Sequence, residues 1–327
     1  MISFSKKIKE NEIIFVTPPS GSEGWILEAI AREIANYLPK NVNFSICKFK
    51  KKLPKSKSYF FTHYMYYFNY QKRKLFKNHS KNYVWFTHIE YEKHQVKEKA
   101  LINSLKKVTG IFCTNSSVKN YLIKKGCEPN KVHLVLGAAD PNLFSYKKGA
   151  TRDKVGFCSA FYDRKNPEKI YELVKLMTEY NFILVGKGWS NYENFQEMLS
   201  LPNFTYVEPL DYSEYPNLYS EMKVFVSTSD IEGGPIPLME AMMSNVMPVV
   251  SDTGFASDII INGKNGYIFP VNENIEIIAN LVKKAFLNKN DVRQSVLNYS
   301  WKNFSRKIIK VILTDLNLFK HLKVDEV

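Results

Sequence analysis

Two hydrophobic patterns alternate along the chain. Short apolar-rich runs stand at residues 13–16, 42–47, 59–62, 83–87, 110–113 and 132–136. Runs of this length, too short for helices and flanked by polar turns, read as strands of a buried sheet. Between most of them apolar residues recur at helical spacing, as at Ile26, Leu27, Ile30, Ile34 and Leu38 in a helix predicted over 23–38. After a break near 140–144 and a polar stretch at 147–153 the pattern restarts. Strands are predicted at 154–158, 182–185, 224–226, 247–250 and 267–269, and helices at 167–177, 213–222, 235–244 and 273–286. The segment from Trp301 to about Leu322 reads as a basic amphipathic helix with Phe304, Ile308, Ile309 and Ile312 on one side. Strands alternating with helices imply a parallel sheet covered on both faces. Two such blocks imply an α/β chain of two doubly wound, Rossmann-like domains with a ligand cleft between them. The expected boundaries are 1–146, 147–302, and a helical segment 303–327 packing back on the first domain.

Composition narrows the class. The chain has 327 residues, 45% hydrophobic and 24% charged, as expected of a globular protein large enough for two cores. No apolar run approaches the roughly 20 residues of a membrane helix, and the basic N-terminus lacks the apolar stretch of a signal peptide. Cys47, Cys113, Cys127 and Cys158 are scattered without metal-like spacing, so reduced thiols and a cytoplasmic location are expected. The net charge of +14 is uneven: between Ile34 and Ile89 there are twelve Lys or Arg and no Asp or Glu. That region is either a solvated loop surface or a patch for an anionic partner. An anionic membrane face is the expected partner, at about 1 kcal/mol per basic residue. Nucleic acid is not expected, because no recognisable RNA- or DNA-binding motif accompanies the basic residues.

The densest chemical signal is Glu232-Gly-Gly-Pro-Ile-Pro-Leu-Met-Glu240. Pro235 suits a first helical position, and Gly233 and Gly234 leave the first helical N–H groups open to a close ligand. Those N–H groups make an anion site. Carboxylates beside an anion site would repel phosphate, so Glu232 and Glu240 are expected to hold sugar hydroxyls of a nucleotide sugar. Gly186-Lys-Gly188 lacks the third glycine of a dinucleotide fingerprint, which argues against NAD. Phe61-Thr62-His63 and Phe86-Thr87-His88 end two strands alike; His63 is read as structural and His88 as a candidate cleft residue.

With these residues in view the chain resembles a retaining glycosyltransferase of the GT-B fold, in the large family 4. The resemblance runs through Glu232 to Glu240, Val185-Gly-Lys-Gly188, Tyr206-Val-Glu-Pro-Leu210, residues 218–228, Met247-Pro-Val-Val-Ser-Asp252, Gly254 and Asn262-Gly-Lys-Asn-Gly-Tyr267. It covers most of 105–301 and is loose over the first hundred residues. It implies that Glu240 holds the ribose hydroxyls and Glu232 contacts the donor sugar, with backbone N–H groups near Gly234 and Ile236 facing the sugar or distal phosphate. It also implies that Lys165 of Arg164-Lys-Asn-Pro167 binds the diphosphate, and that Gly186, Glu208, Pro209 and Leu210 line the nucleotide. Gly21, Ser22 and Gly24 would form a first-domain phosphate or acceptor loop, and His88 the cleft histidine. The chain departs from the family where a Gly-Arg pair is usual and Ser159-Ala160 stands instead; Arg164 is the candidate substitute. The implied reaction moves a hexose from a nucleoside-diphosphate sugar to a glycan or polyprenyl-linked acceptor in cell-surface polysaccharide or glycolipid assembly. It needs no metal or other cofactor, and no Asp-x-Asp occurs in the chain. A nucleotide-sugar epimerase or hydrolase of the same fold and a non-catalytic basic binding protein are the alternatives.

Overall fold

The computed structural model describes residues 11–20, 26–50, 52–73, 80–89, 94–145, 149 and 151–318. It divides into two compact units: Met1–Val135 with Trp301–Val327, and Leu136–Ser300.

In the first unit the strands are β1 (Asn11–Thr17), β2 (Phe44–Lys48), β3 (Ser56–Phe61), β4 (Lys81–Phe86), β5 (Gly110–Cys113) and β6 (Val132–Leu134). They form one parallel sheet in the order β2-β1-β3-β4-β5-β6. Ile13, Ile14, Phe15 and Val16 are all fully buried, as the unbroken apolar run requires of a strand covered on both faces. The helices are α1 (Ile26–Asn36), α2 (Tyr64–Lys72), α3 (Glu98–Leu105) and α4 (Ser116–Lys124). α1 turns Leu27, Ile30, Ala31 and Ile34 inward, the spacing visible in the sequence.

The second unit contains β7 (Lys154–Cys158), β8 (Asn181–Val185), β9 (Phe204–Val207), β10 (Met222–Ser227), β11 (Met247–Ser251) and β12 (Tyr267–Phe269). Its helices are α5 (Pro167–Leu176), α6 (Phe195–Ser200), α7 (Tyr215–Glu221), α8 (Ile236–Met243), α9 (Ala256–Ile259) and α10 (Ile275–Leu287). The sheet order is β12-β11-β10-β7-β8-β9, again all parallel. This is the doubly wound order whose connections reverse direction between the first and fourth strands, here β7 and β10. Ligands bind outside the carboxyl ends of strands at such a reversal, so the loops after β7 and β10 are where the fold prepares a site.

Helix α11 (Trp301–Asp315) follows the second unit in sequence but belongs to the first. Phe304, Ile308, Ile309, Ile312 and Leu313 are buried along one face. Trp85 of β4 meets Phe304 edge-on at 5.3 Å, the Ser305 hydroxyl donates to the Glu33 carbonyl of α1, and the Tyr83 hydroxyl donates to Asp315 at 2.9 Å. The helix ends at Asp315, with Asn317 in the left-handed region at φ 57°, rather than running on to Leu322 as the amphipathic pattern suggested. An αL residue just past a helix stops it by redirecting the chain. Strand β9 and the short helices α6 and α9 are absent from the predicted elements; β9 is an edge strand, and of Phe204-Thr-Tyr-Val207 only Phe204 is buried, so no apolar run marks it. Pro235 is the N-cap of α8 rather than its first helical residue, and Pro237 takes the place inside the first turn.

Candidate functional site

Lys165 is held by local geometry before any partner is considered. It closes a short 3-10 turn, Asp163–Lys165, just beyond β7. Asn166 follows at φ 53° and caps α5, its side chain accepting from the Lys169 N–H. The Thr228 hydroxyl, beyond β10, donates to the Lys165 carbonyl at 2.9 Å, and the Asp230 N–H donates to the Arg164 carbonyl at 2.8 Å. The Asn166 amide adds a bond to the Asp230 carboxylate at 3.1 Å. The loops after the two reversal strands are therefore tied to each other through backbone.

Between them lies Glu232, whose side chain is only 8% exposed. One carboxylate oxygen accepts from the Lys165 ammonium and, at 2.8 Å, from the Ser229 hydroxyl. The other accepts from the Arg164 guanidinium at 3.3 Å, and that group also donates to the Ile231 carbonyl at 2.9 Å. Burial works upward on the Glu232 pKa, but the Lys165 and Arg164 charges and the hydrogen bonds from Lys165 and Ser229 outweigh it. Glu232 is thus held below the usual carboxylate range and ionised. Glu232 thus answers both cations beside the N-terminus of α8, where Ile236 carries the leading N–H, Pro237 has none and the Leu238 N–H donates to the Pro235 carbonyl at 3.1 Å.

Glu240 sits five residues into α8 and is a different kind of carboxylate, 4% exposed. Among the described residues no cation pairs with it. Its two oxygens accept from the Tyr212 hydroxyl at 2.9 Å and the Tyr219 hydroxyl at 3.0 Å. Burial pushes its pKa up to about 7, against the downward pull of those two hydrogen bonds. The free protein therefore holds Glu240 poised between charge states near neutrality, ready to gain from any further donors.

Backbone makes the floor of the same sheet end. A Cβ at Gly186, just past β8, would lie 1.9 Å from the Ser159 carbonyl oxygen, so only glycine fits. Tyr206 donates to the Gly186 carbonyl and Trp189 to the Ser159 carbonyl, both at 2.7 Å. Ala160 stands in this turn without a charge, and Arg164 approaches Glu232 from the next turn instead. Gly233 is buried and Gly234 and Ile236 partly so, at the mouth of α8. Glu208 and Pro209 are exposed beyond the end of β9, while Leu210 packs against the core of the unit.

The first-unit candidates are positioned separately. His88 lies two residues past the end of β4 and is partly buried. His63 is the N-cap of α2, its Nδ1 accepting from the Met65 N–H at 3.2 Å and its ring stacked on Tyr64 at 4.5 Å. That is a structural occupation, as the sequence suggested. Gly21, Ser22 and Gly24 lie outside the described residues, as do Lys51, Lys74 and Lys77 of the basic stretch.

The structure adds residues that the sequence did not single out. Ser229 could have been found, since it stands three residues before Glu232 in the same loop. Tyr212 and Tyr219 could not, because their pairing with Glu240 is set by how α7 and the 3-10 turn before it, Tyr212–Glu214, pack on α8. For Gly254, already named in the resemblance, the structure supplies the reason: it faces the Glu232 loop from beyond β11, and at φ +59° a Cβ there would lie 2.8 Å from Pro235 and 3.1 Å from the Glu232 Cβ. Among the described residues no helix is long and apolar enough to cross a membrane.

Comparison with known proteins bears on the fold and the family. Residues 140–302 match the family model for glycosyl transferases group 1. A curated relative, the UDP-Gal:alpha-D-GlcNAc-diphosphoundecaprenol alpha-1,3-galactosyltransferase of Escherichia coli, is 24% identical over 69% of this chain. The match spans 62% of that relative's length. Sucrose-phosphate synthase from Thermosynechococcus elongatus superposes with a TM-score of 0.75 at 14% identity, covering 95% of this chain and all of that one. Anabaena HepE in complex with UDP gives 0.72 at 13% identity over 93% of this chain and 100% of its own. The lipopolysaccharide outer core galactosyltransferase WaaB gives 0.69 at 12% identity over 93% and 99%. The fold is GT-B, as the sequence led us to expect.

Proposed function

We propose that this chain, whose residues 140–302 form a glycosyltransferase domain of group 1 on a GT-B fold, transfers a hexose from a nucleoside-diphosphate sugar to a glycan or lipid-linked acceptor. One observation carries the reading: Lys165 and Arg164 converge on Glu232 at the β7/β10 reversal, beside the N-terminus of α8. Breaking a glycosyl–phosphate bond creates a diphosphate leaving group and an oxocarbenium-like sugar. Lys165, Arg164 and the backbone N–H groups near Gly234 and Ile236 stabilise the first, at roughly 1.5–3 kcal/mol per charge-assisted contact. Because these cations already supply the positive charge, the reaction proceeds without a metal ion. Glu232 then turns from its two cations toward the sugar hydroxyls, and Glu240 receives the ribose. Transfer runs with retention by attack on the face the diphosphate leaves, as in the family 4 enzymes that the motif resembles.

UDP-galactose is the donor favoured by the named activity of the Escherichia coli relative, and a polyprenyl-diphosphate-linked sugar the favoured acceptor. The supporting lines are the Escherichia coli relative's name and the UDP seen in a neighbour of the same fold. The enzyme works in the cytoplasm at the inner membrane face, in polysaccharide or glycolipid assembly, with His88 near the transferred sugar and the basic 34–89 stretch toward anionic lipid. The test is release of UDP from UDP-galactose with and without a lipid-linked acceptor, in the presence of a chelator. Acceptor-dependent release that survives the chelator is expected, with turnover lowered by about 100-fold or more in Lys165→Ala and Glu232→Ala. Release without acceptor would point to a hydrolase, sugar interconversion to an epimerase, and undiminished turnover in both folded variants would falsify the site assignment.

A further inference from the structure

An ionised carboxylate offers about four lone-pair positions, two on each oxygen. In Glu240 each oxygen has one position filled by a phenol, Tyr212 on one side and Tyr219 on the other. One position per oxygen is left, which matches a vicinal diol donating one hydrogen bond to each. The two phenols are not equivalent. Tyr219 is fully buried on α7, with its ring edge-on to Phe144 at 5.8 Å. Tyr212 is 50% exposed, in a short 3-10 turn held by the reciprocal Asp211 and Glu214 cap. Its ring meets Phe144 edge-on at 5.6 Å. Tyr212 is thus the solvent-side donor to a carboxylate otherwise enclosed by α8, α7 and β7.

We propose that Tyr212 is a positioning residue for the donor: its hydroxyl fixes the Glu240 carboxylate so that one lone pair on each oxygen faces the two ribose hydroxyls, and it favours the ionised form that can accept both. The proposal rests on the reading of Glu240 as the ribose seat. The other titratable groups that act on Glu240 stay neutral across the working range. Burial pushes Cys158 of β7 and Tyr215 of α7 up to about 12, and Tyr219 is pushed well above its ordinary value. Glu240 is therefore the group in this cluster that changes charge between pH 5 and 9. Removing a donor to a charged carboxylate raises its pKa, so loss of the Tyr212 hydroxyl should carry the acid limb of donor use to higher pH.

The experiment compares wild type and Tyr212→Phe, which keeps the ring against Phe144, in steady-state turnover of UDP-galactose from pH 5.5 to 9, alongside calorimetric binding of UDP and 2′-deoxy-UDP. The expected result is a donor KM raised about tenfold, consistent with losing one hydrogen bond to a charged group. kcat should stay within about twofold, and the acid limb of kcat/KM should move up by about half a pH unit or more. A purely structural role for Tyr212 would not move that limb. If wild type binds UDP and 2′-deoxy-UDP equally well, the ribose-seat reading fails. If wild type discriminates between them while Tyr212→Phe leaves KM and the acid limb unchanged, the ribose seat stands and the role of Tyr212 is overturned.

Discussion

At the scale of single residues, the two glutamates of one nonapeptide are held in opposite electrostatic states. Glu232 has two cations and is kept ionised; Glu240 has two phenols and no cation among the described residues, and burial lifts it to about 7. The sign of the second effect gives a prediction. Between the ordinary value of 4.5 and about 7 the unfolded chain loses the Glu240 proton while the folded chain keeps it, so stability falls as pH rises through that window. About 2.5 pH units at roughly 1.36 kcal/mol each amounts to about 3 kcal/mol at full effect. Glu240→Gln removes the titration and should melt higher than wild type at pH 8 without ligand, the gap closing toward pH 4.5. Thermal melts across pH check this; an unchanged gap at all pH values would sink it. The same variant should bind UDP more weakly, because an amide offers fewer acceptor positions to a diol. Both glutamates and Lys165 were legible as residues, since their spacing and neighbours are written in the chain. Their charge states were not, because those depend on Arg164, Ser229, Tyr212 and Tyr219 arriving from other segments.

At the scale of elements, the site is made by loops at strand ends and kept in shape by close backbone approach. Gly254 shows how tight this is. An alanine there must take a left-handed backbone, at about 1–2 kcal/mol, and press its methyl on the Pro235 ring and the Gly233 carbonyl, 2.8 and 3.0 Å away. Gly254→Ala should therefore lose about 1–3 kcal/mol of stability by denaturant titration and raise the donor KM, since the Glu232 loop must give way. Unaltered stability and KM together would mean that the loop yields freely. Most elements were readable from the periodicity: β1 from its unbroken apolar run, α1 from its spacing, and α11 from the stripe that proved to be its buried face. The exceptions have local causes. β9 is an edge strand with only Phe204 buried, and the end of α11 is decided by the left-handed turn at Asn317 rather than by hydrophobicity.

At the scale of the whole molecule, charge is distributed by region. The stretch from 34 to 89 holds twelve basic residues and no acidic one. Lys50, Lys52 and Lys55 are exposed there, and Lys57 is answered by Glu12 from the neighbouring strand at 3.2 Å. Exposed Phe44 and Ile46 lie on the edge strand β2 of the same unit. Cosedimentation with anionic liposomes at low salt is therefore expected, with loss at high salt as charges are screened; failure to bind at low salt would remove the membrane proposal. The sequence by itself determined the two α/β blocks, the Glu232–Glu240 signature and the basic region, because these are carried by local periodicity, short spacing and composition. Only the tertiary structure decided the rest. The doubly wound strand order brings the loops after β7 and β10 together, although Lys165 and Glu232 are 67 residues apart. It assigns α11 to the first unit and closes Tyr212 and Tyr219 on Glu240. Each of these depends on which distant segments share a sheet edge or a buried surface, and packing settles that rather than local pattern.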